Sequence, residues 1–181
     1  MKKSKLEAAE TRRKIVKTAA AEFRQNGING IGLAELMAAA GLTHGGFYRH
    51  FKSRDQLVTE ACAAAIESAT ETAWGPLLQQ SKRNGLEAFV SRYLSEDHRD
   101  DERGGCLFAG LGSELARSDE NTRVMATEGF LKLVDIIATR FPELRPDVAR
   151  RRAFYSADSM GALLDGRQVH QTGNCRGESG R

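Results

Sequence analysis

Gly41 joins two short stretches of helical spacing, and this junction constrains the chain more than any other feature. Before it, LAELMAAA (33–40) places Leu33, Leu36 and Met37 on one helical stripe, while Ala38, Ala39 and Ala40 keep that helix slim enough for a close neighbour. A glycine just past a helix end adopts the left-handed backbone without the steric cost of a Cβ, and Leu42 then returns to the core. Thr43 follows in the position of an N-cap, with its hydroxyl expected to accept from an unpaired backbone N–H of the next helix. That second helix, to residue 51, has two inward apolar side chains, Phe47 and Phe51, one turn apart. With so little to bury it does not form for its own packing, and its other face must meet something else. That face carries Thr43, His44, Gly45, Tyr48, Arg49 and His50: donors, an aromatic hydroxyl and small residues that admit close approach. Two such helices make a helix-turn-helix, whose second helix fits the DNA major groove.

The segment GLTHGGFYRHFKSRDQL resembles the recognition-helix signature of the TetR/AcrR family of transcription regulators, in the spacing of Gly41, Phe47, Tyr48, Phe51, Lys52 and Leu57. The resemblance extends back to about Thr11. It implies an all-α fold, with an N-terminal three-helix DNA-binding head and a C-terminal helical body for ligand binding and dimerisation. It also implies base reading by Thr43, His44, Gly45 and Arg49, and phosphate contact by Tyr48, His50, Lys52 and Arg54. Thr11, Arg12 and Arg13 match family positions close to the DNA backbone. The implied function is a homodimeric, ligand-responsive repressor on a palindromic double-stranded operator, released by a small-molecule inducer that the sequence does not identify. The chain departs from the family at Gly32, where relatives commonly carry Thr or Ser; a hydroxyl able to hold a phosphate is missing there.

Charge agrees with this placement. Residues 1–54 hold eleven Lys or Arg against four acids, a balance of +7, whereas the remaining sixteen against twenty give −4. A basic head binds DNA through phosphate neutralisation and counterion release before any sequence is read. Val, Ile, Thr and Tyr never alternate over a useful length, while Ala, Leu, Glu, Arg and Lys dominate, which excludes a sheet protein. No apolar run approaches the roughly 18 residues needed to span a bilayer, so a cytoplasmic protein with no membrane partner is expected. Cys62, Cys106 and Cys175 lack paired spacing, which indicates neither disulfides nor zinc, and no cofactor is expected. No phosphate-cradling loop, H-E-x-x-H or nucleophile elbow is present, and the chain is read as a non-enzyme.

Along the chain, residues 1–5 read as a basic arm. Residues 6–26 form a buttress helix with Ile15, Ala19 and Phe23 on one stripe, ended by Gly27. Ser53 caps a long helix expected to reach residue 74, before Gly75 and Pro76. A break at Asn84 and Gly85 precedes a helix bearing Leu86, Phe89, Tyr93 and Leu94. The run EDHRDDER (96–103) reads as a solvated loop; its adjacent His and Asp residues do not converge on a metal. Cys106 opens the next helix and has two readings, a thiol activated by the helix N-terminus or a small core residue. Asp119 caps a helix whose broad apolar face, Val124, Thr127, Leu131, Val134 and Ala138, is expected to be buried on two sides. A last helix is expected over 147–164, for which the family resemblance implies dimer contacts, and the glycine-rich residues 165–181 read as a disordered tail. The resulting division is a head over 1–54, a body over 55–164 and the tail. An apolar ligand cavity is expected among Phe89, Tyr93, Phe108 and Leu111, with Cys106 beside it. Two other readings stand beside the repressor: a DNA-binding module whose shortened body neither senses nor dimerises, and a small helical enzyme.

Overall fold

The buttress helix α1 (Lys5–Asn26) lies along α3 (Arg54–Ser68), and the contact buries Ile15, Ala19 and Phe23 against Leu57, Ala61 and Cys62. The structure, a computed structural model, describes residues 5–78 and 82–174; the expected arm at residues 1–5 falls outside these except for Lys5, as does Cys175. Every regular element among the described residues is helical.

α1 stops at Gly27, whose φ of 81° is left-handed and whose N–H donates to the Phe23 carbonyl at 2.8 Å. α2 (Leu33–Ala39) starts from Gly32, which caps with backbone alone: its carbonyl accepts from Leu36 N at 3.0 Å and its N–H donates to Glu35 Oε2 at 3.2 Å. At the other end Gly41 has φ 69°, Gly41 N donates to Ala38 O at 2.8 Å, and Leu42 N donates to Met37 O at 2.9 Å. This is the paired bond pattern by which a left-handed residue closes a helix.

The element after Gly41 is not the α-helix expected from spacing. His44–Arg49 is a 3-10 turn, and Thr43 leads into it through its carbonyl, which accepts from Gly46 N at 3.0 Å, with no cap bond from its hydroxyl. Two adjacent glycines, each about 1 kcal/mol worse than alanine in an α-helix, explain why so short a segment does not sustain the α ladder. Phe47 is completely buried and stacks on Phe51 at 5.4 Å between ring centres.

α3 is capped by Ser53, whose Oγ accepts from Gln56 N at 3.1 Å. It does not run regularly to residue 74. Ala69–Trp74 is a π-helical turn leading into α4 (Gly75–Leu78), with Gly75 N donating to Thr70 O five residues back. Pro76 lacks the N–H of a regular ladder and its ring crowds the carbonyl four residues earlier, so the helix widens ahead of it. α5 (Lys82–Tyr93) continues through Gly85 without the expected break. Within the run read as solvated, α6 (Glu96–Arg99) forms one turn capped by Ser95 and buries His98, which is 5% exposed. α7 (Leu107–Leu115) and α8 (Glu120–Ala138) follow, the latter capped by Asp119 Oδ1, which accepts from Asn121 N at 2.9 Å and Thr122 N at 3.2 Å.

α9 (Pro146–Asn174) is longer than expected: the backbone remains helical through ten residues assigned to a tail without structure. Extending an existing helix adds one backbone bond per ordered residue, and no proline interrupts this one, so composition alone underestimates its length. Residues 175–181 lie outside the description.

Two apolar cores result. The first joins the head to Leu107, Leu111 and Leu115 of α7; the second gathers Trp74, Phe89, Tyr93, Val134, Ile137 and Ala153. The first core therefore continues past residue 54, through α3 into α7. Polar bonds also cross here: Glu114 Oε2 accepts from Asn29 N at 3.1 Å, and Thr59 and Thr122 hydroxyls meet at 2.7 Å. α8 is not covered on two sides within one chain, since Val124 is 50% exposed, alongside Phe154 (43%) and Tyr155 (69%) on α9.

Two expectations follow for stability. Gly41→Ala forces an L side chain into the left-handed region and should cost about 1–2 kcal/mol in urea unfolding. His98 is held below the ordinary histidine range, first by burial and then by Arg92 and Arg24, against an opposing pull from Asp101. Because the unfolded chain takes up this proton more readily, the stability from neutral His98 is present above pH of about 6.5 and is lost as pH falls below it. Melting temperatures from pH 7.5 to 5.5 should fall more steeply in the natural chain than in His98→Asn; equal slopes would refute this.

Candidate nucleic-acid interface

The turn after Gly41 presents the residues singled out by sequence on one exposed surface. Thr43, His44, Gly45, Tyr48 and Arg49 are all exposed, Tyr48 to 68%, while Phe47 beneath them is buried and meets the Tyr48 ring edge-on at 5.1 Å. A Cβ built on Gly45 would meet nothing within 4 Å, so the fold itself makes no demand for glycine there. Lys52 is exposed, and its backbone N–H donates to Gln56 Oε1 at 2.8 Å. His50 is half-buried at the end of the turn, and its carbonyl accepts from Arg12 Nε at 3.3 Å.

Two arginines expected near phosphate are employed inside the head. Arg54 Nη2 donates to the carbonyls of Ile28 and Ile31, the latter at 2.8 Å, and the guanidinium lies 5.8 Å from the Phe23 ring centre. It fastens the α1–α2 connection, because buried carbonyls left by that irregular segment need a donor, and this commits Nη2 of the guanidinium to the head. Arg12 makes a two-pronged bond to Glu60 at 2.6 Å and covers the Phe51 ring at 4.6 Å. Sequence spacing gave no sign of either role, since the partners lie 23 to 48 residues away. Thr11 donates to the Glu7 carbonyl within α1, and Arg13 is exposed.

The expected ligand cavity is split by the structure. A cavity of about 320 Å³ lies where α1, α3, the π turn, α5, α6 and α7 meet; Tyr93, Cys106 and Phe108 line it, together with Trp74, His98 and Arg24. Phe89 sits behind Trp74 in the second core, edge-on at 5.2 Å, and Leu111 is buried in the first, so neither lines this space. Cys106 is the N-cap residue of α7 and lies beside Tyr93, whose hydroxyl is pushed far above its ordinary range, chiefly by burial and then by the Cys106 thiol. Cys62, deep in the first core, has its thiol pushed up to about 12 by burial. Trp74 and His98 were missed from sequence; the signal was the chain's one tryptophan beside Gly75 and Pro76, and a histidine two positions beyond a possible helix start. A larger depression, about 810 Å³, runs between α1 and α3, but it is lined mainly by alanines and charged side chains and has no aromatic wall.

Comparison with known proteins agrees with this geometry. The family model for "Bacterial regulatory proteins, tetR family" matches residues 15–61, which cover the helix-turn-helix and much of its buttress. The "Probable acrEF/envCD operon repressor" of Escherichia coli (strain K12) is 39% identical over 59 residues, 33% of this chain and 27% of that protein; the chain thus matches about a quarter of that relative's length. The structure of E. coli NemR in its reduced form superposes with a TM-score of 0.78 at 19% identity, covering 90% of this chain and 89% of NemR. AibR, in complex with isovaleryl coenzyme A and operator DNA, superposes with a TM-score of 0.62 at 18% identity, covering 85% and 84%. The head is thus matched by sequence to the tetR family model over residues 15–61, and nearly the whole chain shares the fold of these two solved structures.

Proposed function

We propose that the chain is a ligand-responsive transcriptional repressor that binds a palindromic operator as a homodimer. The observation that carries this is the exposed surface of Thr43, His44, Gly45, Tyr48 and Arg49, set on a buried Phe47 and Phe51 at the end of a basic head. The turn enters the major groove. Thr43, His44, Gly45 and Arg49 read base edges, while Tyr48, His50 and Lys52 hold phosphate. Residues 1–54 supply the DNA contacts; the body from 55 onward supplies the effector cavity and the dimer face.

The dimer face lies on α8 and α9, where Val124, Phe154 and Tyr155 stay exposed in a single chain. Phe154 packs edge-on against Phe130 at 5.5 Å and against Tyr155 at 6.1 Å, so these exposed rings continue outward from the interior. A second copy covers this face and sets the two heads one helical repeat apart. AibR, which was solved with both an acyl coenzyme A and operator DNA, is a precedent for an effector and DNA acting on one such fold. Sensing follows from the seam, because α1 of the head and the loop before α7 share the Arg24 to Arg103 carbonyl bond at 2.9 Å. An occupant that alters this seam alters the presentation of the turn.

Two measurements check this reading. On an operator obtained by selection from random DNA, Tyr48→Phe and Lys52→Ala should weaken all sequences alike, and Lys52→Ala, which removes a cation, should also lower the salt slope by about 1. His44→Ala and Arg49→Ala should each change base preference by about 1–3 kcal/mol at particular positions; the opposite assignment of effects would reject the division of roles. Separately, Tyr155→Arg should convert a dimer to a monomer by light scattering while leaving helical content unchanged, and should weaken operator binding at least about tenfold; a dimer that persists would move the interface elsewhere.

A further inference from the structure

The cavity at the seam is chemically lopsided. Its apolar wall is aromatic: His98 meets Trp74 edge-on at 5.1 Å and Tyr93 at 5.1 Å with a 52° tilt, while Phe108 and Leu133 add further apolar surface. Its polar part contains two buried nitrogens without a hydrogen-bond partner, His98 Nε2 and Arg24 Nε. A buried donor left unpaired costs about 1–3 kcal/mol, which an occupant bearing an oxygen acceptor recovers. Arg24 and His98 both line this space, and His98 is 95% buried by its 5% exposure; the two nitrogens lie just beneath the lining, so an occupant meets them through a small shift of those side chains.

Charge selects among acceptors. Arg24 and Arg92 contribute two positive charges to the lining and Asp101 one negative, and Arg92 is also paired with Asp97 at 3.5 Å, which leaves Arg24 as the cation directed at an occupant. Asp101 is already engaged by its own loop, its Oδ1 accepting from Gly104 N at 2.7 Å and Arg103 N at 3.2 Å. The surplus is positive, so an anion is favoured over a neutral carbonyl. Size selects again: about 320 Å³ is at the low end of ligand cavities and suits a single ring rather than an extended molecule. The wall itself includes a π-helical turn, Ala69–Trp74, which brings Trp74 to the cavity; such turns recur where helices are shaped around ligands.

We propose that this cavity binds a small aromatic carboxylate, with its ring against Trp74, Tyr93 and His98 and its carboxylate accepting from Arg24 Nε and His98 Nε2. The assignment rests on the effector reading given under the proposed function, and it identifies how an effector would reach the head. Arg24 belongs to α1, and its Nη1 donates to the Arg103 carbonyl and, at 3.3 Å, to the Ala20 carbonyl. A carboxylate on Nε draws the same guanidinium that ties α1 to the loop preceding α7. The ligand thus touches the DNA-binding head directly, without a relay through the body.

The chain's one tryptophan is Trp74, so its emission reports occupancy. Titration of the full chain with benzoate should give a saturable change, and benzamide, the uncharged isostere, should bind at least about tenfold more weakly. Arg24→Gln should lower benzoate affinity about tenfold and erase its advantage over benzamide; His98→Asn, a second variant in case the first does not fold, should weaken benzoate about fivefold. Circular dichroism confirms folding of each. The proposal is overturned if benzoate gives no saturable change up to about 10 mM, if benzamide binds equally well, or if both folded variants bind benzoate unchanged. Operator binding is measured on the same samples by anisotropy. Benzoate binding without any selective DNA binding would sink the repressor reading and leave the cavity assignment standing; selective DNA binding without benzoate binding would do the reverse.

Discussion

Burial of Phe47 is the contact on which the candidate interface depends. The six residues of the His44–Arg49 turn include two glycines, and fixing each backbone costs about 1–2 kcal/mol. Burying one phenylalanine returns about 1.5–3 kcal/mol, so the turn is not stable alone and must be held from both ends. Gly41 and its paired bonds hold the front. At the back Phe51 stacks on Phe47, and Arg12 donates to the His50 carbonyl while covering the Phe51 ring. The exposed side chains are thereby presented by a scaffold that uses only one of them, the Tyr48 ring edge-on to Phe47. That is the condition for using them on another molecule.

The same scaffold ties the head to the body. α3 carries the head core on one side and reaches α8 on another, and Gly129 on α8 allows the close approach: a Cβ there would lie 2.8 Å from Ile66 Cδ1. Apolar packing makes that part of the junction stiff. The opposite part, between the end of α1 and residues 101–105, is polar and exposed, with Arg103 bonded to Gln25 Oε1 at 2.9 Å and paired with Glu22 at 3.4 Å. The Arg103–Gln25 bond is exposed and of a kind that contributes little to stability and is exchanged cheaply, so adjustment between head and body belongs on this side, around a Glu22 that is itself buried.

Where structure is fixed by neighbours in sequence, the sequence was readable. Gly27 and Gly41 at helix ends, Ser53 and Asp119 as caps, and the inner stripes of α1 and α3 all express interactions within one turn. The residues of the exposed face were likewise legible, because Phe47 and Phe51 define which side is inward. What was not legible depends on distant partners or on competition between helix types. Arg54 is drawn to carbonyls 23 and 26 residues back, His98 is buried by aromatic rings from two other elements, and Leu111 joins the head core rather than the cavity. The 3-10 and π turns express local conflicts, glycine pairs in one case and Pro76 in the other, which apolar periodicity does not register. The long α9 shows the opposite error, where low apolar content was taken for lack of structure.

The 3-10 geometry of the His44–Arg49 turn gives it a cross-section unlike that of an α-helix. With three residues per turn, side chains three apart fall in line, so the segment is a triangular rod with one edge of His44, Phe47 and His50, one of Gly45 and Tyr48, and one of Gly46 and Arg49. The first edge is rooted in the core through Phe47. Each of the other two consists of a glycine followed by one long side chain, so Tyr48 and Arg49 each have a bare strip of backbone ahead of them. Six residues in this form span about 12 Å rather than about 9 Å. The turn is therefore shaped as a stretched two-pronged fork, with Tyr48 and Arg49 on separate edges, rather than as a cylinder with a single stripe of side chains.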